Sequence, residues 1–251
     1  MNHRPQLSII VPTYNERERL GELVRTTADV FRTEGIGGEI VIVDDNSPDG
    51  TGRVAAELAK QFHVKVVHRA GKLGLGSAVI DGFRVARGDV LGVMDADLSH
   101  PPAVLPRMLE ALTRHGADFV IGSRYIPGGS TEGWSITRRL MSRLACLIAR
   151  PLTPVRDATS GFFVLRPEVV HEIEISAAGF KICLELLVRG RARSVVELPY
   201  RFTDRLVGES KMTVREALGY VVQLCDLLLY RLRNRGTASR PVYKRLTAFG
   251  M

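Results

Sequence analysis

Asp95 and Asp97 stand one residue apart at the end of an apolar run, Val90-Leu91-Gly92-Val93-Met94. Side chains two apart on an extended chain share a side, so both carboxylates, with Ala96 between them, turn toward one point. Two like charges there repel unless a cation sits between them. A hard divalent ion such as Mg²⁺ or Mn²⁺, which keeps coordination sites for waters and substrate phosphates, suits such an oxygen pair. The ordinary alternative makes Asp97 a turn residue capping a helix that starts at Pro101 or Pro102. The strand-end position favours the metal, because open parallel sheets bind ligands beyond the carboxyl ends of their strands.

A second acidic cluster is Asp44-Asp45-Asn46-Ser47-Pro48-Asp49-Gly50-Thr51. Helix capping accounts for Asp49 and Thr51 but leaves Asp44 and Asp45 side by side. Carboxylates at such an edge accept hydrogen bonds from ribose hydroxyls or a base N–H. The run Gly71-Lys72-Leu73-Gly74-Leu75-Gly76-Ser77 fits neither G-x-x-x-x-G-K-[ST] nor G-x-G-x-x-G, which removes the best support for an ATPase or a dinucleotide dehydrogenase. Its glycines serve as a flexible entry to a helix near Ser77, and Lys72 is placed to reach a diphosphate. Arg138 and Ser142, four apart on a helical pattern, share a face and can meet one anion; a solvated face is the other explanation. Arg205 and Lys211 flank a charged, glycine-containing segment that reads either as a surface loop or as one that closes on a ligand. The six histidines are scattered, and His100 reads as a local loop residue.

The elements that must hold these side chains follow from periodicity. β-branched runs at Leu7 to Val11, Glu39 to Asp44, Val64 to Val67, Val90 to Asp95 and Asp118 to Gly122 alternate with helical patterns near 16–34, 49–62, 76–87 and 102–115. Strands alternating with helices imply a mostly parallel sheet covered on both faces. Beyond residue 125 the alternation fails. Ile136 to Arg150 reads as an amphipathic helix with Ile136, Leu140, Leu144, Leu147 and Ile148 on one side and Arg139, Arg143 and Arg150 on the other. A helix over 214–233 is apolar except for the row Gly219, Gln223 and Asp226, and the basic tail from Arg233 reads as mobile.

Across 251 residues, 45% hydrophobic and 25% charged, the composition excludes a disordered chain and a polytopic membrane protein. The net charge of +8 is uneven: residues 1–120 carry 14 basic and 16 acidic side chains, and residues 121–251 carry 21 and 11. A near-neutral half with paired carboxylates beside a basic half suggests a metal site next to a surface that meets phosphate, lipid or nucleic acid. Three cysteines without C-x-x-C spacing indicate neither a disulfide framework nor a thiolate metal site. The N-terminal apolar run is shorter than a signal-peptide core, so a cytosolic chain is expected.

The order Val11-Pro12-Thr13-Tyr14-Asn15-Glu16, Val43 to Thr51 and Met94-Asp95-Ala96-Asp97-Leu98-Ser99-His100-Pro101-Pro102 resembles the inverting glycosyltransferases of family 2. More narrowly it is similar to the dolichol-phosphate and polyprenol-phosphate mannosyltransferases. The likeness continues through Ile121 to Tyr125, Thr159 to Phe162, Gly179 to Lys181 and Asp204-Arg205 to Gly208 through Lys211. It implies a GT-A type, Rossmann-like α/β fold with C-terminal amphipathic helices. Residues 1–211 would form the catalytic domain, and residues 212–251 a helix with a basic tail.

By the same resemblance, Pro12, Tyr14, Glu16 and Asp45 hold the nucleoside, and Asp95 and Asp97 hold Mg²⁺ or Mn²⁺ on the sugar-nucleotide diphosphate. Ser99 occupies a place where some relatives carry a further metal ligand. Arg124, Arg138 and Ser142 match the grip on a lipid phosphate, and Arg205 with Lys211 the loop that closes on the donor phosphates. The implied reaction moves mannose from GDP-mannose, with inversion, to a polyprenyl or dolichyl monophosphate; a UDP-glucose donor or a non-lipid acceptor is the variant. The implied location is peripheral, at the cytosolic face of a membrane, with a separate anchoring subunit as a further partner. A nucleotidyltransferase would release pyrophosphate instead, and no basic-aromatic module of a nucleic-acid-binding protein is present.

Overall fold

The computed structural model describes residues 4–173, 181–204, 214–234 and 241–246. In chain order its elements are β1 (Leu7–Thr13), α1 (Arg17–Thr33), β2 (Gly38–Asp44), α2 (Thr51–Leu58), β3 (Val64–His68), α3 (Leu75–Val85), β4 (Val90–Val93), α4 (Leu105–Arg114), β5 (Phe119–Ser123), β6 (Ser130–Glu132), α5 (Ile136–Ile148), β7 (Phe163–Leu165), α6 (Ile182–Arg189), β8 (Ser194–Pro199), β9 (Arg201–Thr203), α7 (Val214–Arg233) and β10 (Val242–Arg245).

Among the described residues, eight strands form one sheet in the order β10-β8-β5-β7-β4-β1-β2-β3. β1 pairs in parallel with β2, from Leu7 opposite Gly38 to Thr13 opposite Asp44, and with β4 on its other side. The chain therefore reverses direction across the sheet at β1, and the crevice beyond the carboxyl ends of β1 and β4 is where such sheets bind ligands.

Alternation along β1 divides the core. Leu7, Ile9 and Val11 pack with Leu20, Leu23 and Phe31 of α1, Leu58 of α2 and Met108 of α4. Ile10 faces the other way, with Val79 of α3, Leu184 of α6 and Leu224 and Leu227 of α7. Helices thus cover both faces, as the buried β-branched strands require.

The five strands read from periodicity are present, in the expected α/β architecture. Three further strands complete the main sheet where no alternation is visible. β7 is only three residues long, and it inserts antiparallel between β4 and β5. β8 pairs in parallel with β5. The reading of the tail beyond Arg233 as mobile is corrected at residues 242–245: β10 pairs with β8, from Val242 opposite Ser194 to Arg245 opposite Glu197. Its sequence, Val-Tyr-Lys-Arg, carries too few apolar positions to stand out, and the pairing comes from a neighbouring strand edge.

A small parallel ribbon of β6 and β9 stands apart from the main sheet. It brings Trp134, just after β6, and Asp204, just after β9, to the foot of α5.

Candidate active site

The loops after β1 and β2 meet at the carboxyl edge of the sheet. Asn15 takes a left-handed conformation and its N–H donates to Ser47 Oγ at 3.1 Å, while the Glu16 N–H donates to Thr51 Oγ1 at 2.9 Å. The loop after β1 is thereby stitched to the loop after β2. Asp44 is spent inside that stitch, accepting from Ser47 N at 3.2 Å, Ser47 Oγ at 2.5 Å and Thr13 Oγ1 at 3.3 Å.

Asp45 is buried in an ion pair with Arg69 and also accepts the Gly74 N–H at 2.9 Å. Arg69 in turn donates to Ser77 Oγ at 2.6 Å. The glycine-rich loop is therefore tied down through Asp45. This arrangement sets Lys72 over the exposed ring of Tyr14, with its Nζ 3.9 Å from the centroid. Pro12, half-buried, lies one residue before the end of β1, opposite Val43 of β2.

The turn after β4 carries the other pair. Asp95 leaves its carboxylate 37% exposed at the crevice. Asp97 is buried and accepts from Ser99 N at 3.1 Å and Ser99 Oγ at 2.6 Å, with Leu98 between them in the left-handed region. Asp97 therefore does open a turn, which also orients its carboxylate, but it caps no helix: the helical turn Pro102–Val104 starts from Pro101 without a side-chain cap. Ser99 stands behind Asp97 as its hydrogen-bond donor. Ala96 is buried, and Arg19 Nη1 reaches from α1 to the Asp97 carbonyl at 3.2 Å.

The residues fit a divalent ion completed by other ligands. The donors are hard carboxylate oxygens, and no group of three or more His, Cys, Asp or Glu side chains among the described residues forms a closed cage.

The third group surrounds Trp134. The Arg124 and Arg138 guanidinium carbons lie 5.2 and 4.2 Å from its ring centroids. Tyr125, next to Arg124, donates its hydroxyl to Ser142 Oγ at 2.7 Å. Arg124, Arg138 and Ser142 are thus brought together. Arg138 pairs with Asp204 at 2.6 Å and remains partly exposed.

Arg124 is placed differently from a surface clamp. Its side chain is 8% exposed, and Nε and Nη2 form a fork on Asp157 at 2.7 and 2.6 Å, with Thr159 Oγ1 at 3.3 Å. Burial alone would weaken its hold on the proton, yet Asp157 pushes its pKa well above the usual value.

Asp157 is held by Glu197 of β8. That buried carboxylate accepts the N–H groups of Arg156 and Asp157 at 2.9 and 3.1 Å and the Ser123 hydroxyl at 2.8 Å. Asp157, Glu197, Arg69, Trp134 and Asp204 escape a reading by spacing because their partners are distant in sequence. The one available signal is that Trp134 is the chain's single tryptophan. Arg205 and Lys211, with Gly179, Phe180 and Gly208 through Ser210, lie outside the described residues.

A mostly parallel sheet with two acidic loops at its switch point and a basic, aromatic patch beside them defines the class. The chain belongs to glycosyl transferase family 2, whose model matches residues 8–174. It is 46% identical over 226 residues to a dolichol-phosphate mannosyltransferase of Pyrococcus furiosus, covering 87% of this chain and 63% of that protein. It is 42% identical over 230 residues to a polyprenol monophosphomannose synthase of Mycolicibacterium smegmatis, covering 86% and 85%. Among solved structures, glucosyl-3-phosphoglycerate synthase of Mycobacterium tuberculosis, in complex with Mn²⁺, UDP-glucose and phosphoglyceric acid, shares the fold. The TM-score is 0.65 at 18% identity, covering 90% of this chain and 79% of that one.

Proposed function

We propose that this protein transfers mannose from GDP-mannose, with inversion, to a polyprenyl or dolichyl monophosphate, releasing GDP. The observation that carries the proposal is the placement of Arg124, Arg138 and Ser142 around Trp134 and Tyr125, in a chain that also exposes Asp95 at the crevice, with Asp97 buried and braced by Ser99 in the same turn. Two anion-handling sites in one chain suit a reaction that joins two phosphorylated substrates. The relatives' names, a dolichol-phosphate mannosyltransferase and a polyprenol monophosphomannose synthase, support the choice of sugar and acceptor.

In this mechanism Pro12, Tyr14 and Glu16 border the nucleoside, and the buried Asp45 frames the same cleft. Lys72, Arg205 and Lys211 meet the donor diphosphate. Asp95 and Asp97 would hold Mg²⁺ or Mn²⁺ for it, Ala96 gives the turn its close packing, and Ser99 acts through Asp97. The ion, when bound, supplies positive charge that screens the diphosphate and favours its departure.

The acceptor monoester has its second pKa at about 6, so near neutral pH it is already a nucleophilic dianion and needs no strong base. An acceptor phosphate oxygen forms the bond to the anomeric carbon as the bond to GDP breaks. One in-line displacement inverts that centre. Arg138 and Ser142 grip the acceptor phosphate. Arg124, fixed by Asp157, presents a charge that needs no rearrangement, and bringing the two anions together in this way lowers the barrier.

The lipid acceptor places the protein at a membrane surface, at its cytosolic face. α5 exposes Ile136, Leu140, Leu144 and Leu147, and α7 exposes Leu218, Val222 and Leu229, while no helix among the described residues is long and apolar enough to cross a bilayer. Apolar helix faces of this kind bury in the headgroup boundary, and nearby arginines gain from anionic lipids. A separate anchoring subunit would add to this attachment.

Incubating the protein with polyprenyl phosphate, Mn²⁺ and either GDP-mannose, UDP-glucose or UDP-N-acetylglucosamine should yield polyprenyl-phosphate-mannose from the first donor, identified by mass spectrometry. Arg138→Ala should raise the KM for the lipid phosphate at least about tenfold, as expected for loss of a charge-assisted contact, and leave that for GDP-mannose near wild type. A product formed only with a non-lipid acceptor would overturn the acceptor assignment.

A further inference from the structure

His100 reads from sequence as an incidental loop residue, yet its ring is 1% exposed and every side of it is engaged. Its Nδ1 accepts the Asp95 backbone N–H at 3.0 Å. A nitrogen that accepts a hydrogen bond carries no proton, so the ring proton sits on Nε2. That nitrogen faces the same residue's carboxylate, 3.7 Å from Asp95 Oδ2. The distance exceeds a hydrogen bond, so the ring faces the carboxylate with an electrostatic attraction alone.

Rotation of the imidazole is blocked by aromatic packing. Phe162 stacks on it at 5.1 Å with an interplanar angle of 8°, and the rings of Tyr200 and Phe202 approach at 5.8 Å. Gly161 completes the enclosure: a Cβ there would stand 3.1 Å from both Asp95 carboxylate oxygens and 3.2 Å from His100 Cε1. A histidine that merely closed the turn would need the Nδ1 contact alone.

We propose that His100 is a positioning residue that fixes the backbone of Asp95 and backs its carboxylate, and that Gly161 keeps open the space this arrangement needs. The assignment rests on Asp95 and Asp97 holding the donor's divalent ion, and it names what aims the more exposed of the two. Groups that orient metal ligands in this way typically change metal affinity by about 10- to 100-fold when removed.

Mn²⁺ binding in the presence of GDP, followed by electron paramagnetic resonance, tests it alongside metal-free GDP binding and thermal unfolding. His100→Phe keeps an aromatic ring in the aromatic box but removes both nitrogens, and should weaken Mn²⁺ binding about 10- to 100-fold while GDP binding without metal stays within about twofold. His100→Asn, whose amide oxygen can accept the Asp95 N–H, should recover part of that loss. Gly161→Ala, which leaves the histidine in place, should also weaken Mn²⁺ binding, and it carries the comparison if His100→Phe does not fold.

Wild-type Mn²⁺ affinity in both His100→Phe and Gly161→Ala, or in Gly161→Ala alone if the phenylalanine variant does not fold, would overturn the positioning role and leave the donor site standing. Parallel loss of Mn²⁺ and metal-free GDP binding would reduce His100 to a packing residue. Failure of the wild-type protein itself to bind Mn²⁺ with GDP would overturn the donor-site assignment and this inference with it.

Discussion

Four aspartates that look interchangeable along the chain do different work once folded. Asp44 organises its own loop, Asp45 neutralises Arg69, Asp97 is braced by Ser99, and Asp95 faces the crevice. Removing Asp45 leaves the buried Arg69 guanidinium with Asp81 as its remaining acidic partner, 3.0 Å from Nε, and strips the carboxylate acceptor from its Nη1 and from the Gly74 N–H. Asp45→Ala should therefore destabilise the protein by about 1–3 kcal/mol, read from urea unfolding, because buried donors lose a charged acceptor while Asp81 still offsets the Arg69 charge. Asp95→Ala should leave the unfolding midpoint near wild type and abolish metal-stimulated turnover. Equal stability losses in the two variants would refute this division.

α5 is unusual among the helices because its apolar positions are not the buried ones. Cys146 is its only buried residue before the cap, while Ile136 is 73% exposed and Leu147 62%. The same spacing that normally presses a helix onto a core here presents a stripe outward, while Arg138 and Ser142 on another side reach Asp204 and Tyr125. Replacing Leu140 and Leu144 together by Glu should cut binding to phosphatidylglycerol-containing vesicles by about tenfold or more, given the free energy of burying two leucines. Turnover with a short, water-soluble prenyl phosphate should persist. Vesicle binding unchanged in a flotation assay would exclude α5 as the contact.

For the whole molecule, the +8 charge is concentrated in the half that carries α5 and α7. Association with anionic vesicles should therefore weaken as salt rises from 0.05 to about 0.5 M, where the screening length falls to a few ångströms. A residual component insensitive to salt should remain from the apolar faces, measurable by co-sedimentation. Binding that vanished completely at high salt would leave electrostatics as the sole attachment.

Local sequence determined much of this protein. The runs that became β1 to β5 and the patterns that became α1 to α5 and α7 are visible because burial on two faces, or on one helical stripe, repeats within a few residues. The acidic turns follow from those strands, since a sheet's ligand edge lies where its strands end.

Tertiary structure alone decided which acids pair internally and which face the crevice. Arg124 finds Asp157 33 residues away, Arg138 finds Asp204 66 residues away, and Arg69 finds Asp45 24 residues away. It also decided that three residues, Phe163–Leu165, would enter the sheet in reverse and set the aromatic box beside Asp95. Periodicity is a property of neighbours along the chain, whereas charge neutralisation and strand insertion depend on which distant segments burial brings together.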